Sequence, residues 1–197
     1  MNICIKSLKS KVREEVKKQV ASLSASDIEK QSNSIIDKLL NLQKYKESNR
    51  VSVYLSMKDE VQTDKIVEDI LSSGKTCFIP LYTKTSMSMV KLNSMEDLKS
   101  LPKTKWNIRQ PLETDAREEA SEKGIDLMIT PGLAFSKDGI RLGRGKGYYD
   151  RYLTEYAKKT GHNLFTVGLA FQQQIRPDIP IEETDQKLNL VITPDCS

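Results

Sequence analysis

Ile125-Asp126-Leu127-Met128-Ile129-Thr130, followed by Pro131-Gly132 and then by Arg141-Leu142-Gly143-Arg144-Gly145-Lys146-Gly147-Tyr148-Tyr149-Asp150-Arg151, decides the architecture. The first run is apolar, strand-length and stopped by Pro-Gly. A glycine-rich basic loop follows. Tyr149, Tyr152, Leu153 and Tyr156 then recur at the spacing of one helix face, which predicts a helix beginning near Gly147. Strand, loop and helix in that order form half of a parallel unit, and the flanking sequence repeats it. Further strands are expected at 51–55, at 76–79 (halted by Pro80), at 87–92, at 165–169 and at 190–193. Ile66, Val67, Ile70 and Leu71 mark a helix that Gly74 stops. Upstream, Leu8, Val12, Val16, Val20 and Leu23 predict a helix over 7–23. Ser24-Ala25-Ser26-Asp27 breaks it and caps a second helix over 27–45, with Ile28, Ile35, Ile36, Leu39 and Leu40 on its apolar face. The alternation predicts one α/β domain over residues 1–197 with a mostly parallel central sheet flanked by helices. In such sheets, ligands bind where strands run into helices, at the carboxyl edge.

The glycine-rich loop lies at that edge. Gly143, Gly145 and Gly147 let the backbone turn its amides inward, Arg144 and Lys146 add cations, and the helix N-terminus adds partial positive charge. The combination suits a phosphate chain. It has neither the GxxxxGK[ST] spacing nor the GxGxxG dinucleotide pattern. Asp150 would lie one helical turn after Lys146. It reads either as an acidic residue favourable to the helix dipole or as a ligand for a magnesium ion shared with phosphate oxygens. Tyr149 belongs to the core face, whereas Tyr148, nearer the edge of that face, could wall a pocket. Glu60 follows a strand at a second candidate ligand edge, and Trp106, the only tryptophan, lies in a long loop between Pro102 and Pro111.

The 197 residues are 38% hydrophobic and 29% charged, enough to bury a core without metal or disulfides. No stretch approaches the roughly 20 apolar residues of a membrane span, and Met1 to Leu8 show no secretory h-region. Cys4, Cys77 and Cys196 are far apart and odd in number, which indicates a reducing, cytoplasmic setting. The single histidine, His162, lies in the turn Thr160-Gly161-His162-Asn163 after a helix and is expected at the surface, so it supports no Ser-His-Asp or Cys-His constellation. The formal charge of +4 is confined to the first 20 residues: Lys6, Lys9, Lys11, Arg13, Lys17 and Lys18 oppose only Glu14 and Glu15. Residues 21–197 carry 25 charges of each sign. Lys9, Arg13 and Lys17 form a stripe beside the apolar face, as either a solvated surface or a site for a small anion. A polynucleotide partner would call for a broader basic face.

Arg141 to Asp150 resembles the signature of the 5-formyltetrahydrofolate cyclo-ligase (5,10-methenyltetrahydrofolate synthetase) family. Lys9-x-x-x-Arg13 is similar to its N-terminal nucleotide-binding helix, and Leu55 to Thr63 and Leu101 to Ile108 are similar to its eukaryotic branch. The resemblance runs through essentially the whole chain. It implies a Rossmann-like three-layer fold, ATP as co-substrate and Mg²⁺. The substrate would be 5-formyltetrahydrofolate and its polyglutamates, and the enzyme a monomer with no nucleic-acid or membrane partner. By resemblance, Lys9, Ser10, Lys11, Val12 and Arg13 meet ATP, as do Arg141, Leu142, Gly143, Arg144, Gly145, Lys146, Gly147, Tyr148 and Tyr149. Arg144 and Lys146 carry the catalytic charge. Arg13, Leu55, Glu60, Trp106 and residues 144–148 meet the folate, and Asp150 and Asp185 hold the metal. The chain departs from the pattern in its C-terminal loop, where Glu183-Thr184-Asp185-Gln186 replaces a common His-Asp and Asn189 stands where an acidic residue is frequent.

Overall fold

The structure, a computed structural model, describes residues 4–104 and 107–194. Strand alternation builds its centre. In β1 (Arg50–Val53), Val51 and Val53 face one side and Ser52 the other. β2 (Thr76–Tyr82) puts Cys77, Ile79 and Leu81 on the first side and Phe78 on the second, and β4 (Leu127–Thr130) divides Leu127 and Ile129 from Met128 in the same way. β3 (Met87–Leu92), β7 (Thr166–Leu169) and β8 (Leu190–Ile192) complete a six-stranded sheet in the order β3-β2-β1-β4-β7-β8. Every neighbouring pair is parallel except β2 and β3.

Both faces are covered. On the first side lie α1 (Ile5–Ala21), α2 (Ala25–Asn41) and α4 (Asp64–Ser72), which bury Val12, Val16 and Val20, Ile35, Ile36 and Leu39, and Ile66, Val67 and Ile70. On the second side α7 (Tyr148–Thr160) buries Tyr149, Tyr152, Leu153 and Tyr156 against Phe78, Met89 and Met128. The result is the expected α/β architecture with a mostly parallel sheet flanked by helices. Among the described residues no helix is long and apolar enough to cross a membrane.

Several elements differ from the sequence reading. α1 begins two residues earlier than expected and ends at Ala21. The second helix breaks at Leu42, whose ψ of 127° is extended, and resumes as the short α3 (Gln43–Glu47). α2 starts at Ala25 rather than 27, capped within the expected break: Ser24 Oγ accepts from the Asp27 N–H at 3.1 Å while the Asp27 carboxylate accepts from the Ser24 N–H at 3.2 Å. β2 does not stop at Pro80, which pairs with Met89 of β3. Pairing with β1 ends at Phe78, so beyond that point one edge of β2 is unladdered and a residue without an N–H fits. Two short helices, α5 (Met95–Ser100) and α6 (Ala120–Lys123), and the hairpin of β5 (Ala134–Phe135) and β6 (Arg141–Leu142) were not foreseen.

β1 lies at the switch point. From it the chain moves outward through α4 to β2 and β3, then returns to β1's other side to lay down β4, β7 and β8. The carboxyl ends of β1 and β4 therefore open next to each other, with connections leaving in opposite directions, which is where an open α/β sheet offers its ligand crevice.

Candidate active site

Two loops leave that crevice. The one after β1 folds on its own side chains: Thr63 Oγ1 donates to the Tyr54 carbonyl at 2.7 Å, Tyr54 OH donates to the Val61 carbonyl at 3.0 Å, and the Met57 N–H donates to Glu60 Oε2 at 3.0 Å. Glu60 is held almost fully buried (7% exposed). Burial raises its pKa, an effect that the Met57 N–H and Arg144 only partly offset. The loop after β4 runs through the β5–β6 hairpin into Gly143–Gly147 and α7, and Gln174 Nε2 fastens its start by donating to the Gly132 carbonyl at 2.8 Å.

The glycine-rich loop divides two environments. On one side is a cleft of about 710 Å³ lined by Lys9, Arg13, Arg141, Leu142, Gly143, Gly145, Gly147, Asp150 and Asp185, with Lys6, Arg151, Lys158 and Glu182 also on its walls. No backbone N–H from Gly143 through Asp150 donates to another described residue. Amides of the loop and of the first turn of α7 are thus left open at a helix N-terminus, beside three arginines. Gly145 has φ +102°, which a side chain would strain, and a Cβ on Gly143 would sit 2.9 Å from Arg141 Nη1.

Cations and carboxylates in the cleft are interlocked. Buried Lys9 donates from Nζ to Asp185 Oδ2 at 2.6 Å and to Glu182 Oε2 at 2.8 Å. Burial opposes its charge, but the two carboxylates outweigh it and hold the ammonium above its ordinary pKa. Arg13 Nε donates to the Gly143 carbonyl at 2.9 Å. Arg141 Nη2 donates to Asp150 Oδ1 at 2.8 Å, the Gln186 N–H reaches the same oxygen at 3.2 Å, and the buried Arg141 Nε has no partner among the described residues. On the other side of the loop Arg144 Nη2 meets Asp59 Oδ1 and Oδ2 at 2.9 and 3.0 Å and Glu60 Oε1 at 3.2 Å, and Arg144 Nε meets Glu60 Oε1 at 3.3 Å. Beyond Glu60, the Tyr148 ring lies 5.3 Å from that of Tyr82 and its hydroxyl donates to the Thr83 carbonyl at 3.0 Å.

The structure gathers Lys9, Arg13, Arg141, Leu142, Gly143, Gly145, Gly147, Asp150 and Asp185 around one cleft. It does not bring every candidate there. Ser10, Lys11 and Lys17 face solvent and Val12 is in the core. Arg144 turns toward the β1 loop, Lys146 is exposed, and Tyr149 is buried, with its hydroxyl 3.3 Å from that of Tyr82. Leu55 is half-buried at the end of β1, and Trp106 lies outside the described residues. Glu182, Asp59 and Tyr82 were missed; an acidic residue three positions before Asp185 and one beside Glu60 were the available signals. Asn189 joins strands instead, its Oδ1 accepting from Thr166 N–H and Oγ1 at 2.8 and 3.0 Å.

A family model described as the 5-formyltetrahydrofolate cyclo-ligase family matches residues 5–194. The chain belongs to this family. Among its cyclo-ligase relatives, the 5-formyltetrahydrofolate cyclo-ligase of Mus musculus is 46% identical over 196 residues, covering 98% of this chain and 97% of the mouse protein. A mitochondrial 5-formyltetrahydrofolate cyclo-ligase of Arabidopsis thaliana is 33% identical over 93% of this chain and 73% of its own length. The NMR structure of Aquifex aeolicus 5,10-methenyltetrahydrofolate synthetase superposes with a TM-score of 0.76 at 28% identity, covering 94% of this chain and 89% of that one.

Proposed function

We propose that this cyclo-ligase converts 5-formyltetrahydrofolate to 5,10-methenyltetrahydrofolate, with ATP consumed to ADP and phosphate. The observation that carries the reading is the run of open amides from Gly143 through Asp150 facing Lys9, Arg13 and Arg141, with a buried carboxylate, Glu60, across the loop. One side suits a triphosphate and the other a donor-rich heterocycle.

The formyl group on pterin nitrogen 5 is an amide, whose oxygen leaves poorly. Transfer of the γ-phosphoryl group to that oxygen makes it a leaving group, so that nitrogen 10 can attack the formyl carbon, close the ring and expel phosphate. Such chemistry needs alignment and charge neutralisation more than a protein nucleophile. Lys9, Arg13, Arg141 and the loop amides seat the phosphates. Arg144 and Lys146 offset charge on the group in transit, Arg144 from the side where Glu60 would complement the pterin's amino edge and Leu55, Trp106 and Tyr148 its apolar faces. Asp150 and Asp185 fit a magnesium ion, which takes one or two carboxylates together with phosphate oxygens and water. Among the described residues no cluster of three or more ligating side chains builds a metal cage. When bound, the ion would neutralise phosphate charge. The reading also takes residues 1–197 as one domain, monomeric and cytoplasmic, acting on the polyglutamates as well, without nucleic acid or membrane.

The test is an absorbance assay for methenyltetrahydrofolate, with and without ATP and magnesium, coupled to measurement of ADP. Product that depends on both supports the reading; no product, or product without ADP release, refutes it.

A further inference from the structure

Arg144 is the one side chain of the 143–147 loop with a partner, since the Lys146 ammonium has none among the described residues. Both of its carboxylate partners come from the neighbouring loop after β1. They are unequal. Asp59 offers both oxygens to Nη2 at 2.9 and 3.0 Å, while Glu60 offers one oxygen at 3.2 and 3.3 Å and gives its other to the Met57 N–H. The Glu60 side chain is 9% exposed, and that of Asp59 is 43% exposed on the outer flank of the same guanidinium.

The arrangement resolves a conflict. A carboxylate that is to complement a heterocycle's donors is better placed when a second carboxylate shares the arginine beside it, because its acceptor sites are limited and each one given to the guanidinium is taken from the ligand. We propose that Asp59 is a positioning residue: its closer, two-oxygen contact holds Arg144 at the boundary of the two half-sites, so that Glu60 Oε1, which Arg144 meets only at 3.2 and 3.3 Å, can exchange those contacts for the folate without releasing the guanidinium. Asp59 acts through Arg144 and touches neither substrate. The inference rests on the folate-side reading of Glu60.

The experiment measures kcat and KM for 5-formyltetrahydrofolate and for ATP in wild type, Asp59→Asn, Asp59→Glu, Arg144→Ala and the Asp59→Asn/Arg144→Ala double variant, with melting temperatures for each. Asp59→Asn is expected to lower kcat/KM for the folate about tenfold, the loss of one charged hydrogen-bonding partner. The KM for ATP should change less than twofold, and Asp59→Glu should recover most of the loss. The double variant should be no worse than Arg144→Ala alone. An Asp59→Asn enzyme with wild-type folate kinetics overturns the inference, as do losses that multiply in the double variant. A wild-type enzyme that makes no methenyl product overturns the reading of the site as well, so the two failures are distinguishable.

Discussion

Replacing Lys9 by methionine tests the interlocked cleft directly. The aliphatic stem stays buried and only the ammonium is lost. That ammonium, on a side chain 7% exposed, sits 2.6 Å from an Asp185 carboxylate that is 19% exposed and 2.8 Å from a Glu182 carboxylate that is 37% exposed. Breaking a fully buried ion pair costs about 3–5 kcal/mol, but both carboxylates here keep contact with water. A loss of about 2 kcal/mol, near that of one charged hydrogen bond, is therefore the appropriate magnitude. For a chain of this size it should lower the melting temperature by roughly 4–8 °C. The sign of the pH dependence follows from the raised pKa of Lys9. A cation stabilised in the fold contributes fully below its ordinary pKa and loses that contribution as pH rises through the folded value. The gap between wild type and Lys9→Met should thus be constant across neutral pH and close only in the alkaline range, above the ordinary 10.5. If the ammonium also meets phosphate, the KM for ATP should rise about tenfold. Thermal melts from pH 7 to 11, with ATP titrations in the absorbance assay, measure both effects. Equal melting temperatures at neutral pH together with equal ATP saturation would refute the reasoning.

Lys146→Ala should reduce turnover by at least tenfold while altering stability by less than about 0.5 kcal/mol, because an exposed, unpaired cation holds nothing in the fold; unchanged turnover removes Lys146 from the chemistry. Asp150→Asn keeps an oxygen for Arg141 Nη2 and the Gln186 N–H but drops the charge, so the magnesium midpoint should rise about tenfold, and an identical metal titration strikes Asp150 from the ligands. Glu60 carries a raised pKa, so the fold binds its proton more tightly than the unfolded chain does. Stability therefore falls as pH rises from the ordinary carboxylate range through the folded value, and the penalty persists at neutral pH. Glu60→Gln should accordingly melt no lower than wild type at pH 7 while losing folate turnover, and a markedly lower melting temperature would contradict the sign.

The sheet was readable wherever a strand is buried on one or both faces and bounded by turn-forming residues, as at 87–92 before Asn93-Ser94 and in the run ending at Thr130 before Pro131-Gly132. Pro80 misled because its compatibility with a strand depends on how far β1 extends beside it, which is a tertiary fact. The helix break at Leu42 left no trace, since Leu39, Leu40, Leu42 and Tyr45 continue an apolar pattern across it. The β5–β6 hairpin has two-residue strands, too short to show alternation, although its Ser136-Lys137-Asp138-Gly139 turn was visible as turn chemistry. In the site, the cations and glycines could be read because spacing places them on one stripe or one loop. Their pairing with carboxylates could not. Lys9 and Asp185 are 176 positions apart and Arg144 and Glu60 are 84 apart, and only the strand order brings them together.

That strand order also explains why the glycine-rich loop can be both loose in backbone and definite in place. Its own amides bind none of the described residues, so its position is set by side chains from other elements. Arg13 of α1 holds the Gly143 carbonyl, Arg151 of α7 holds the Lys146 carbonyl at 2.8 Å, and the β1 loop holds Arg144 through Asp59 and Glu60. α1 is in turn fixed to the C-terminal side of the crevice by Lys9 and by Glu15, which accepts from Arg176 Nη1 at 3.0 Å. A disturbance at Lys9 therefore reaches the loop through Arg13, one turn along the same helix, without touching the loop itself. The loss in ATP saturation on Lys9→Met combines a missing contact with a displaced loop. Arg13→Ala removes the tether and a phosphate cation together while leaving the Lys9 pairs in place, so its ATP KM should rise with little change in melting temperature, and an unchanged ATP KM would remove Arg13 from both roles.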